Sequence, residues 1–397
     1  MFTRVAAVVA ALAMLPAVTR AEEAAVDPAI LQGQLESLRE QFAETKGVVD
    51  ALSRFKVSGY VQGRWEWAEN TSYTAGANVQ NQGFFLRRVR FKPVYDAGSA
   101  KFVLQLDTVP DGVSVKEAYA EWTPGFVKGL SLAVGQVLLP FGYDVGVRSS
   151  SDLDLLERNG ASRAFLNGEY DKGVVLSYLR GPVSFRGGLF NGNGAVGKTL
   201  NGSSQFLSDN DNTKDAIGRL GLDLGMVTGG LSGWYGEERI YKDVSNTATP
   251  PAVVVAKGVY KRKRFGADVQ VYLDLLPVGG TAVKAEYLAG TTQLDPDPAK
   301  QQIGKAGYGW SALVTQLVGS SDQVAVRYDY FDARSDLKDG SGGSSTGTWS
   351  FALHHHLTPA AKLSVVYDLP GLVKKPTSTT SSNPKGSDLI AQLQVKF

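Results

Sequence analysis

The chain has 397 residues, a formal net charge of +2 and no cysteine, which excludes disulfide scaffolds, thiolate metal sites and cysteine nucleophiles. The near-neutral balance excludes a nucleic-acid binder working by bulk charge, and 16 Tyr, 17 Phe and 6 Trp among only 20% charged residues exclude a disordered chain. A mean hydropathy of -0.11 excludes a polytopic helical membrane protein, so the length fits either several soluble domains or one very long closed sheet.

Residues 1–21 read as a secretory signal: Arg4 supplies the positive region, Val5 to Val18 the apolar stretch, and Thr19 and Ala21 the small residues before cleavage. Residues 22–54 form a second segment. From Pro28 to Arg54, Leu31, Leu35, Leu38, Phe42, Thr45, Val49 and Leu52 recur in steps of four and three, the pattern of a short coiled coil. Asp27 and Pro28 suit the helix start, while Gly47 weakens the second half. A periplasmic coiled coil and a lone amphipathic helix both remain open at this point.

Residues 55–397 switch to a period of two. Val57, Val61, Trp65 and Trp67 alternate with Lys56, Tyr60, Gln62, Arg64 and Glu66, and Phe265, Val269 and Val271 alternate with Arg264, Asp268 and Gln270. Sixteen such segments are predicted, near 55–67, 84–95, 100–109, 114–124, 130–142, 169–180, 183–191, 215–225, 231–241, 261–275, 280–291, 305–318, 322–333, 346–358, 361–369 and 387–397. Their connections alternate between short turns (Asp96–Ser99, Arg180–Pro182, Gly225–Gly230, Pro277–Gly280, Gly319–Asp322, Thr358–Ala360) and long polar loops, except that the connection near Pro110–Gly112 is short where a long one is due. The long loops are 68–83, 143–168, 192–214, 242–260, 292–304, 334–345 and 370–386. One apolar and one polar face per strand, with this rhythm of connections, predicts an all-β fold. It is a 16-stranded antiparallel transmembrane β-barrel in a Gram-negative outer membrane, behind a short helical segment. Its partners on this reading are membrane lipid and lipopolysaccharide.

Several stretches carry a resemblance to a known family. They are Phe85-Leu86-Arg87-Arg88-Val89-Arg90, Gly135-Gln136 with Pro140-Phe141-Gly142, Ser150-Ser151-Asp152-Leu153 with Leu156-Glu157-Arg158, and Phe190-Asn191-Gly192-Asn193-Gly194. In that order the chain resembles the phosphate-selective porin O and P family. The resemblance implies a barrel that is usually a homotrimer, a third outer loop folded inward, and basic side chains guiding anions. The terminal Phe397 resembles the last residue that outer-membrane assembly machinery recognises.

Alternation places Arg88, Arg90 and Lys92 on the lumen face and Phe85, Val89 and Phe91 on the lipid face, with Arg87 in the lipid phase. Arg64, Arg219, Arg264 and Arg327 also project inward. Rows of guanidinium groups hand oxyanions along a channel, but Glu66, Glu117, Glu121, Asp223, Asp268, Glu286 and Asp329 are on hand to pair with them. The expected constriction loop carries Arg148, Asp152, Asp154, Glu157, Arg158 and Arg163, with no lysine from Ser149 to Arg158, a departure from the phosphate binders that the resemblance brings to mind. The expectation is a weakly anion-preferring channel for small polar solutes, with no cofactor and no metal.

The three histidines, His354–His356, put two imidazoles on one strand face without a visible third ligand. Lys261–Arg264 is a basic run at an expected strand mouth. Trp65, Trp67, Trp122, Tyr178, Trp310 and Trp349 suit interfacial aromatic girdles. No G-x-S-x-G elbow appears, so an outer-membrane hydrolase is the weaker alternative, and a barrel plugged by its loops is the other.

Overall fold

The structure is a computed structural model and describes residues 28–69, 81–109, 112–166, 168–192, 194, 213–243, 254–292, 305–333, 335, 345–374 and 386–397. The expected signal at 1–21 and most of the long outer loops lie outside these residues. The chain divides into two compact units, one ending at Arg54 and one beginning at Phe55.

The first unit is a helix, α1 (Pro28–Ser53), which runs through Gly47 without a break. Its heptad positions are bare: Leu38 is 65% exposed and Phe42 71%, with Leu35, Val49 and Leu52 also exposed. No described helix is long and apolar enough to cross a membrane.

The second unit is a closed barrel of 16 antiparallel strands, each paired with its sequence neighbours and β1 with β16. They are β1 (Phe55–Ala68), β2 (Asn81–Asp96), β3 (Ala100–Asp107), β4 (Ser114–Trp122), β5 (Leu130–Leu138), β6 (Tyr170–Arg180), β7 (Val183–Phe190) and β8 (Asp215–Asp223). There follow β9 (Val227–Asp243), β10 (Val254–Leu276), β11 (Gly279–Thr292), β12 (Lys305–Val318), β13 (Asp322–Asp332), β14 (Ser345–Thr358), β15 (Ala361–Lys374) and β16 (Asp388–Lys396). The seam closes with Gly59 and Phe397 exchanging backbone hydrogen bonds of 3.0 and 3.1 Å.

Burial is inverted relative to a water-soluble protein. Val61, Phe91, Leu104, Leu176, Leu220, Phe265, Val314 and Phe351 are exposed on the outer face, while Gln62, Arg64, Arg88, Glu117, Gln270 and Asp329 are buried within. Only a hydrocarbon exterior makes that arrangement favourable, because apolar area gains nothing from facing water. Rings of Tyr287, Tyr308, Trp310, Tyr328, Tyr330, Trp349 and Phe351 touch across β11–β14 in an aromatic band, with successive centroids 4.8 to 6.4 Å apart.

Several segments depart from the periodicity reading, among them β15, which runs to Lys374, five residues into the expected loop 370–386. The turn between β8 and β9 is Leu224–Met226, and Gly229 and Gly230 belong to β9, not to a turn. A Cβ on Gly230 would lie 2.4 Å from the Arg219 guanidinium, so glycine there makes room for a lumen side chain. Residues 242–260 do not form the expected loop throughout: β9 and β10 extend into a long hairpin in which Asp243 faces Val254. The Lys261–Arg264 run therefore lies inside a strand, with Arg262 and Arg264 buried inward and Lys261 and Lys263 exposed outward. Finally, β5 stops at Leu138, four residues before the expected end, because Pro140 has no N–H to donate and Gly142 adopts a φ of 70°.

Candidate functional site

The chain leaves β5 at Leu138 and turns into the barrel instead of over its rim. Gly142 N donates to Ser232 Oγ (3.0 Å) and Tyr143 N to Glu286 Oε1 (2.6 Å), which fixes the inward turn against the wall. The segment from Leu139 to Glu169, here loop 3, is then anchored by two apolar clusters inside the polar lumen. Phe141, Val145, Phe165 and Leu166 pack on Val137, Val175, Phe190, Ile217, Trp234 and Leu288. Leu155 and Leu156 pack on Ala325, Ala352, Val366 and Ile390. At roughly 1.5–3 kcal/mol for each fully buried large side chain, these anchors hold the loop as a fixed fitting.

Polar sockets complete the attachment. The Glu286 carboxylate on β11 accepts from Tyr143 N, Asp144 N, Asn159 Nδ2 and Ser162 Oγ. Asn159 also caps the short helix α2 (Gly160–Phe165), its Oδ1 accepting from Ser162 N at 2.7 Å. Gly160 N donates to Asp329 Oδ1 (3.1 Å) on β13. His354 on β14 is fully buried; its Nε2 donates to the Asp154 carbonyl and its Nδ1 meets the Ser364 hydroxyl, both at 2.7 Å. This is a structural role, and no metal-type cluster occurs among the described residues. Near the loop tip, Ser150 bonds Tyr60 (2.7 Å) and Asp152 pairs with Lys396 (2.5 Å).

Charge inside the barrel is organised around Glu157 of loop 3. Its carboxylate meets Arg64 at 2.9 Å, Arg87 at 2.8 Å and Arg88 at 3.1 Å. Burial alone would raise this carboxyl, but Arg88, Arg87 and Arg64 outweigh it and hold the group well below the usual carboxylate range. In the same loop Arg158 pairs with Glu169 (2.5 Å) and reaches the Arg148 carbonyl, while Asp154 takes Arg148 (3.2 Å) and Lys284 (2.7 Å). On the wall Arg90 meets Asp107 (3.2 Å), Lys92 meets Glu117 (2.5 Å), Arg219 meets Asp268 (2.7 Å) and Arg327 meets Asp329 (3.1 Å).

The structure therefore brings the expected inward cations to the lumen, but nearly all of them are spent on carboxylates. Arg264 differs: it donates to the Phe165 and Thr291 carbonyls and lies 4.4 Å above the Trp234 ring. Arg163 is exposed on α2 and holds no acid among the described residues. The acids that looked set to repel anions from the loop, Asp152, Asp154 and Glu157, are each neutralised by a basic side chain of the wall.

Two assignments from alternation are corrected. Gln62 pairs with Arg88 and Gly63 with Leu86, so Arg87 is the extra residue of a β-bulge. The bulge turns Arg87 into the lumen, onto Glu157, instead of leaving it in the lipid phase. It also shifts the phase of the outer part of β2, so Phe85 stands opposite Arg64, with the guanidinium 5.9 Å from its ring centroid, not on the lipid face.

Among the lumen cations not singled out from the sequence are Lys284, Arg186 and Lys116. Lys284 and Arg186 sit between outward neighbours and were accessible to the same alternation rule. Lys116 was not, because it too is a bulge residue: Gln105 pairs with Glu117 and Leu106 with Val115.

No family model matches the chain, and no curated protein matches it. Solved structures do. An anion-selective porin from Comamonas acidovorans superposes with a TM-score of 0.57 at 12% identity, covering 86% of this chain and 99% of that one. The outer membrane channel DcaP of Acinetobacter baumannii gives 0.57 at 10%, covering 86% and 97%. The outer membrane protein OmpT of Vibrio cholerae, in a trimer form, gives 0.56 at 9%, covering 86% and 99%. The likeness is one of fold. At these identities it carries neither the substrate nor the membership of a particular porin family.

Proposed function

We propose that the chain is an outer-membrane porin, a passive diffusion pore for small polar solutes with a weak preference for anions. The observation that carries this reading is a closed barrel with an apolar exterior, a charged interior and a loop fixed across its bore. Covalent chemistry plays no part in it. The neutralised acids of loop 3 support anion tolerance, while the absence of lysine from Ser149 to Arg158 argues against tight phosphate selection. The exposed heptad seam of α1 supports a periplasmic coiled coil in a homotrimer.

The test is planar-bilayer recording. Stable single-channel steps with a reversal potential favouring chloride across a KCl gradient are expected; a clear cation preference contradicts the anion reading. Block of the chloride current by micromolar phosphate would instead restore the phosphate-selective reading. A loop-plugged structural barrel is the second reading, favoured by the attachment of loop 3 to both Arg64 on β1 and Lys284 on β11. Absence of conductance steps would select it.

A further inference from the structure

The outward face of β10 changes chemistry along its length. From Leu275, near the short turn, to Phe265 its outward side chains are apolar, with Leu275, Val269 and Phe265 exposed. That stretch is as long as a tilted strand needs to cross hydrocarbon. The next two outward positions, toward the far end of the hairpin, are Lys263 and Lys261. Both are exposed, while the intervening Arg262 and Arg264 are buried inward. Tyr287 of the aromatic band pairs with Ala267 in the register, so Lys263 lies two outward positions beyond that band. Such bands sit at headgroup level, which puts the lysines among the headgroups and not in the hydrocarbon. Neither ammonium group makes a hydrogen bond or ion pair with a described residue. Lys263 lies opposite Tyr235 of β9, and its amide donates to Thr291 Oγ1 (3.1 Å) of β11, so no acid is its register neighbour. Glu237 lies opposite Lys261, and Lys214, just before β8, adds a third exposed lysine. On β13, β14 and β15 the outward residues toward the long loops, Tyr330, Trp349 and Leu369, carry no charge.

We propose that Lys261 and Lys263, on the outer wall of β10, dock the phosphate groups of lipopolysaccharide in the outer leaflet. The site rests on the outer-membrane reading and does not require conduction. Two ammonium groups on flexible stems, two residues apart on one strand face, can converge on one phosphate oxyanion. A zwitterionic phospholipid brings its own ammonium to its phosphate and competes with the lysines, whereas a lipopolysaccharide phosphate brings none. The wall beneath accepts acyl chains. Phe265 is flanked in the register by Gly233 on β9 and Ala289 on β11, and a Cβ on Gly233 would meet nothing within 4 Å. The basic run is thus divided by the strand: Arg262 and Arg264 turn to the lumen, and Lys261 and Lys263 to the lipid.

Native mass spectrometry of the detergent-folded full-length protein, titrated with bisphosphorylated lipid A, tests this. The wild type is expected to retain lipid A. Lys261→Gln and Lys263→Gln should each weaken retention about fivefold, and the double variant about twentyfold. Lys261→Arg with Lys263→Arg keeps both charges and should retain the lipid. Lys128→Gln, the same charge change in the turn between β4 and β5 at the other end of the barrel, should leave it unaltered. Heat-modifiable gel mobility of each variant shows that the barrel has folded. Equal retention by the wild type and the double Gln variant overturns the site. Equal retention of dephosphorylated lipid A overturns phosphate recognition, and tighter retention of phosphatidylglycerol overturns lipopolysaccharide as the occupant. The porin reading fails separately: a wild-type protein that gives no bilayer steps but retains lipid A in this lysine-dependent way loses that reading and keeps the site.

Discussion

Glu157 is one carboxylate facing three guanidinium groups, and its removal affects both the loop and the current. In Glu157→Gln the arginines lose their counter-charge; breaking a buried pair in this way costs about 3–5 kcal/mol, and the lumen water reached by Arg87 places the cost near the lower end. The freed cations also raise anion preference. The reversal potential in a KCl gradient is expected to move toward chloride, and an unchanged potential would show that the triad lies off the solute path. The pH dependence follows from the same geometry. The folded carboxyl titrates below its ordinary value, so its contribution is complete above about pH 4.3 and is lost only as pH falls through the lower folded value. The Glu157 charge, and the selectivity it sets, should hold from neutrality to well below the ordinary glutamate value of about pH 4.3. A shift already at about pH 5.5 would mean that another group controls the loop.

At the scale of single strands, the barrel relies on close backbone approaches that glycine alone permits. A Cβ on Gly188 of β7 would lie 2.0 Å from the Val174 carbonyl oxygen of β6, an atom held in the sheet and unable to move aside. Gly188→Ala should therefore destabilise the barrel by about 1–3 kcal/mol, read as a lower urea midpoint of the detergent-folded protein. Gly33→Ala on α1 meets nothing within 4 Å and should strengthen the helix by about 1 kcal/mol in helical circular dichroism. The two bulges work in the opposite direction. Each adds a residue to a strand, and each added residue is basic, Arg87 on β2 and Lys116 on β4. A bulge thus increases the number of cations a strand can present without adding a strand.

At the scale of the whole molecule, the helical segment and the barrel solve different problems. The barrel satisfies every strand edge by closure, so its fold needs no partner chain. The helix leaves Leu38 and Phe42 bare, and most helical stability in proteins comes from packing such an apolar face against a partner. On the proposed trimeric porin, Leu38→Glu with Phe42→Glu should lower the trimer fraction of the full-length protein in native mass spectrometry while leaving the conductance of each channel intact. Trimers at wild-type abundance would show that the barrel walls, and not the helix seam, hold the assembly.

Periodicity alone determined the strand count, the alternation of short and long connections and the inward direction of Arg64, Arg88, Arg90, Arg219, Arg264 and Arg327. It could do so because each strand separates hydrocarbon from water, and a period of two is the only way a strand achieves that. The rule failed where a local insertion resets the phase, at Phe85 and Arg87, since a bulge has no signature in side-chain polarity. It also could not separate spent cations from available ones. Whether a guanidinium meets a solute or a carboxylate depends on what the folded loop brings opposite it. Glu157 comes to Arg88 across 69 residues of chain, whereas Arg264 finds only the Phe165 and Thr291 carbonyls and the Trp234 ring among the described residues. Such pairings depend on where loop 3 is anchored, by Leu155 and Phe165 in their apolar pockets and by Glu286 beneath Asn159. Pattern along the chain therefore decided the barrel, and distance across its lumen decided which charges are left for solutes.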